Sequence, residues 1–111
     1  MGHGEMLTAL SKDIKRLEQL LQESGVRTPV LLKIRETQHS VEAIGWGPLR
    51  EGSEERWRLV YQIEWTYPDY SADERPLIET PQDVRIAASP HLGSLLRVVH
   101  EKSRIDEGIP F

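Results

Sequence analysis

Four histidines, His3, His39, His91 and His100, are the readiest source of acid–base or metal-binding chemistry in this chain. His91 and His100 fall on one helical segment nine residues apart. That spacing sets them on opposite sides of a helix, whereas a shared ion needs ligands three or four apart. His39 sits in an expected turn and His3 near the start, so a histidine site would have to assemble from distant segments. Asp69, Asp73 and Glu74 crowd between Pro68 and Pro76, but without the alternating oxygen ligands and central glycine of a calcium loop. Gly45, Gly47 and Gly52 do not lead into a helix, so they form no phosphate cradle. No Gly-x-Ser-x-Gly elbow is present. The absence of cysteine excludes disulfides and thiolate zinc sites. No catalytic residue, metal ligand or cofactor is expected from these patterns.

What stands out instead is a run of rings and cations. From Arg56 to Tyr67 every odd position is apolar or aromatic (Trp57, Leu59, Tyr61, Ile63, Trp65, Tyr67). The even positions read Arg56, Arg58, Val60, Gln62, Glu64, Thr66. Strand side chains alternate between faces, so this period of two predicts one dry and one wet sheet surface. Val30–Glu36 and Val41–Trp46 are expected as two further strands, joined by a turn at Gln38–Ser40 and followed by Gly47-Pro48. Glu51–Glu54 supplies the next turn. Hairpin connections make a meander the simplest pairing.

Helices must cover the dry face. Met6, Leu7, Leu10, Ile14, Leu17, Leu20 and Leu21 fall within an arc of about 140° at helical spacing, and Gly25 stands where a left-handed terminator belongs. Thr80-Pro81-Gln82-Asp83 reads as a helix start with Thr80 at the cap. Ser89-Pro90 repeats that pattern ahead of a stripe of Leu92, Leu95, Leu96 and Val99. Tyr67–Pro76 is expected to be a polar loop. The sequence therefore predicts an α+β fold: a three-stranded antiparallel meander, with an N-terminal helix and a C-terminal broken helix pair packed on one face. One domain over 6–104 is expected, with loose tails at 1–5 and 105–111.

Six large groups on one strand face are many for helices carrying Leu, Ile and Val to cover. The end around Trp65, Tyr67 and Tyr70 is thus a candidate for completion by a partner, because Trp and Tyr are enriched at docking surfaces. Trp46, between Gly45 and Gly47, is placed with them. A second candidate surface is the heptad-like seam Leu7, Leu10, Ile14, Leu17 and Leu21, which two copies of the helix would share. The leading expectation is a non-catalytic protein–protein interaction domain, adaptor, regulatory or chaperone-like, acting as a homodimer. An alternative is a small-molecule-binding protein or enzyme, with a pocket between helix and sheet lined by Tyr61, Trp65 and His91. A third is nucleic-acid binding through Arg35, Arg56 and Arg58.

Composition weighs among these. The formal charge of −4 and a pI near 5.6 argue against nucleic acid as the main partner. The order helix, three strands, helix resembles the double-stranded-RNA-binding domain in outline. That family opens its second helix with lysines, where Thr80–Arg85 here has an acid and no lysine. No apolar run reaches the ~20 residues of a membrane span, so no membrane partner and a cytoplasmic location are expected.

Overall fold

The computed structural model describes the backbone of residues 3–106 and the side chains of residues 10–103. Helix α1 (His3–Ser24) leads into strands β1 (Val30–Glu36), β2 (Ser40–Glu51), β3 (Glu54–Trp65) and β4 (Ser71–Pro76). A 3-10 turn (Leu77–Glu79), helix α2 (Gln82–Ala88), a second 3-10 turn (Ser89–His91) and helix α3 (Leu92–Asp106) complete it. The fold is α+β, and the sheet is an antiparallel meander in the order β1-β2-β3-β4. Of the tails expected at 1–5 and 105–111, residues 3–5 belong to α1 and 105–106 to α3; the others lie outside the described residues.

The fourth strand corrects the expectation of three. Ser71–Pro76 (Ser-Ala-Asp-Glu-Arg-Pro) pairs with β3 from Trp65↔Ser71 to Val60↔Pro76. Five of its six residues are exposed, so no face is buried enough to select apolar side chains. Main-chain hydrogen bonding alone makes it a strand, and hydropathy periodicity cannot register that. Being short, charged and closed by proline, it is also a poor template for edge-to-edge pairing. With a fourth strand the outline of the double-stranded-RNA-binding domain no longer fits.

One sheet face carries Val30, Ile44, Trp46, Leu59 and Tyr61, and α1, α2 and α3 close over it with Ile14, Leu21, Val84, Ala88, Leu95 and Val99. At its centre Trp46 is fully buried. Its ring lies 5.9 Å from that of Trp57, and its indole N–H donates to the Val26 carbonyl at 3.0 Å. That bond ties the α1–β1 connection to the sheet and satisfies the one polar atom such a ring buries. Gly25, at φ 75°, ends α1 as expected. Gly45 answers to space instead: a Cβ there would lie 2.2 Å from the Val30 carbonyl oxygen.

Thr80 does not cap α2. Its hydroxyl donates backwards to the Leu77 carbonyl at 2.6 Å, closing the 3-10 turn. The backbone N–H groups of Val84 and Arg85 are taken by the carbonyl of Pro81. Ser89 likewise makes no side-chain cap, although Pro90 sits in the first turn as expected.

Beyond Val60 toward Glu54, β3 has no β4 beside it. Helix α1 closes this edge with side chains. Glu18 accepts the Leu59 N–H at 2.9 Å, and Gln22 donates to the Trp57 carbonyl at 2.9 Å. Four residues of helix rise about 6 Å and two of strand about 6.6 Å, so the two contacts fall in register.

Candidate interaction surface

The sheet outruns its helices at one end. There the β1–β2 turn is held by Thr37, whose hydroxyl oxygen accepts the N–H groups of His39 (3.2 Å) and Ser40 (3.1 Å). This side-chain turn does the work that Gly or Pro would otherwise do. The Thr66 N–H donates to the His39 carbonyl at 2.8 Å, locking the turn to the end of β3. Trp65 stands in register between Ser40 and Ser71. By alternation it shares the face of Tyr61 and Ile63, yet it remains 44% exposed. Tyr67 and Tyr70 are 65% and 70% exposed, and the Tyr67 ring packs 5.0 Å from that of His39. Four rings therefore gather at one tip, outside the helical cover.

Beneath the tip lies a charged cluster. The pairing of β1 with β2 shifts between Lys33 and Arg35, which brings Arg35 opposite Glu42 on the helix-facing side. Arg35 grips Glu42 with two nitrogens, Nη2 at 2.7 Å and Nε. The Tyr61 hydroxyl donates to the same carboxylate. The Arg35 hydrogen bond holds the Glu42 carboxyl below its ordinary pKa, with help from Tyr61 and against burial. Burial first, then the bond to Glu42, pushes the Tyr61 phenol well above its ordinary value. The cluster is charged, saturated and fixed, with no group left over as a free acid or base.

The other expected site residues are distributed differently. Ile14 and Leu21 are buried in the core, with Leu10 and Leu17 packed against it. This part of the seam lies on the sheet, and the Leu7 side chain is outside the described residues. Trp46 is a core residue, separate from Trp65, Tyr67 and Tyr70. The three arginines form no single patch, since Arg56 and Arg58 meet at Glu51 while Arg35 lies apart. Arg35 is on the helix-facing side, Arg56 pairs with Glu51 at 3.7 Å, and Arg58 bends round the β3 edge to Glu18 and Glu51. Arg58 Nε approaches Glu18 at 3.0 Å, close enough for an ion pair but off the hydrogen-bond line.

A separate apolar groove of about 230 Å³ runs between α1 and α3, lined by Leu17, Leu20, Leu21, Val26, Leu96 and Val99 among others. Shallow depressions lie over Ala43 on the helix-free face and over Gly47, where Lys102 of α3 contributes to the lining. None of these three is lined by Tyr61, Trp65 or His91. Among the described residues no group of three or more His, Asp or Glu is placed to hold a metal, and no helix is long and apolar enough to cross a membrane. Sequence reasoning overlooked Glu18 and Glu42. Each is an acid inside an apolar stripe, Glu18 between Ile14 and Leu21, Glu42 in phase with Ile44 and Trp46, and that placement was the available signal. No known family model, curated protein or solved structure matches this chain.

Proposed function

We propose that this chain is a small non-catalytic interaction domain that docks a partner protein on the tip formed by Trp65, Tyr67 and Tyr70. One observation carries the reading: three large rings on one sheet end stand outside the helical layer that buries the rest of their face. Trp65 is held by strand pairing on both sides and Tyr67 packs on His39 of the locked turn, so these rings lose less freedom on binding than unsupported ones, which favours their use as anchors. The saturated cluster beneath gives them a rigid base. A photo-cross-linking residue at Tyr70 tests this, with one at Arg50 on the opposite hairpin as control. Cross-linking to a discrete protein at position 70 alone, lost on Trp65→Ala with Tyr67→Ala, is expected. Equal products at both positions, or none, would remove the reading.

A homodimer remains a second reading, favoured by the α1–α3 groove. Leu20 and Leu96 are both exposed beside it. Arg16 and Glu23, opposite in sign, lie one turn either side of Leu20, so two copies related by a two-fold would pair them reciprocally. Sedimentation of the wild type against Leu20→Glu with Leu96→Glu decides it: a dimer that dissociates in the variant supports the groove, and a monomeric wild type ends the idea.

A further inference from the structure

We propose that the partner segment seated on this tip is basic and arginine-bearing. The inference rests on the docking reading above and adds the chemistry of the occupant. Residues 36–42 and 62–74, which build the tip, contain Glu36, Glu42, Glu64, Asp69, Asp73 and Glu74. All fourteen lysines and arginines of the chain lie elsewhere. Three of these acids are neutralised from just outside: Glu36 by Lys33, Glu42 by Arg35 and Asp73 by Arg75. Glu64, Asp69 and Glu74 have no ion-pair partner among the described residues. Asp69 lies in the loop between Tyr67 and Tyr70. Glu64, next to Trp65, and Glu74, in register with Gln62, lie on the opposite sheet face in depressions that Lys33 and Lys102 also line.

Exposed rings on an end of net negative charge, with the Asp69 carboxylate between Tyr67 and Tyr70, complement a guanidinium in two ways. Its flat face stacks on the ring while its edge donates to the carboxylates. The same contact already exists within the chain, where the Arg27 guanidinium lies 5.7 Å from the centre of the Trp57 ring. Nucleic acid and anionic lipid are repelled by this tip. A second copy would bring acid against acid.

Titration of the full chain with an arginine octapeptide, a lysine octapeptide and a glutamate octapeptide tests the proposal, read by tryptophan fluorescence. The arginine peptide should bind, the lysine peptide several-fold more weakly, and the glutamate peptide not at all. Replacing Tyr67→Ala with Tyr70→Ala leaves the charge unchanged and should weaken arginine binding about tenfold, the scale of two partly exposed cation–π contacts. Asp69→Asn with Glu64→Gln and Glu74→Gln should weaken it and flatten its dependence on salt. Equal binding of arginine and lysine peptides, indifference to loss of the rings, or no binding would each overturn the proposal. A protein cross-linked through Tyr70 by a neutral or acidic segment would overturn it too, while leaving the docking reading intact.

Discussion

Glu42 is where the covered and uncovered parts of the sheet meet. A carboxylate this buried is tolerated only if strong donors replace its lost water, and here a two-nitrogen grip from Arg35 and the Tyr61 hydroxyl do so. Removing one donor should therefore cost more than an average hydrogen bond. Tyr61→Phe is expected to lower folding stability by about 1.5–3 kcal/mol, the range for bonds to an ionised group. The pH dependence has two limbs. Glu42 has a folded pKa below its ordinary value, so its stabilisation is complete above the ordinary carboxylate range and is lost as pH falls through the lower folded value. Tyr61 has a folded pKa above its ordinary 10.0, so its contribution is complete below that pH and is lost as pH rises toward the folded value. Urea unfolding from about pH 3 to about pH 11 should show a plateau between the limbs. In Tyr61→Phe the alkaline fall should shrink; an unchanged alkaline limb would show that Tyr61 does not cause it.

At the scale of elements, the contact between α1 and the bare edge of β3 decides how the layers register. Glu18 does two things there: it accepts the Leu59 N–H and faces the buried guanidinium of Arg58. Glu18→Ala leaves an unpaired backbone donor and a charge that keeps only Glu51, and should cost about 3 kcal/mol or more. Glu18→Gln keeps an oxygen for Leu59 and should cost less than the alanine variant. Equal losses in chemical denaturation would mean that packing, rather than pairing, holds this edge. The contact also explains what periodicity could and could not reveal. Alternation over 56–67 identified β3 and its buried face, because burial there imposes a period of two. The 3.6-residue stripe of α1 was legible for the same reason. Strand β4 and the Glu18, Glu42 and Arg35 pairings were not, since they rest on backbone pairing and on ion pairs between segments distant in sequence. At Thr80 a cap-forming residue had two backbone partners within reach, and only the fold determined that Leu77 received the bond. The tip was legible in part: Trp65, Tyr67 and Tyr70 were grouped from the excess of rings, while Trp46 was grouped with them although its indole is committed to Val26.

Across the whole molecule, large aromatic groups serve two separate ends. Near the α1–β1 connection Trp46 and Trp57 pack together under the helices. At the far end Trp65, Tyr67 and Tyr70 stand clear of the core cluster. If the tip exists for a partner, its rings should contribute little to folding, because exposed side chains bury little apolar area in the free protein. Tyr67→Ala with Tyr70→Ala should change the unfolding free energy by less than about 1 kcal/mol, whereas Trp46→Ala should cost about 3–5 kcal/mol. The hydroxyls reinforce the contrast, since neither tip tyrosine makes a side-chain hydrogen bond to another described residue, while Tyr61 is bonded to Glu42. Urea denaturation of both variants at neutral pH makes the comparison. A tip variant as unstable as the Trp46 variant would mean that these rings are part of the fold, and the surface argued for a partner would lose its physical basis. A stable tip variant leaves two rings that folding does not require, beside Trp65 at an end whose own segments carry acids and no lysine or arginine.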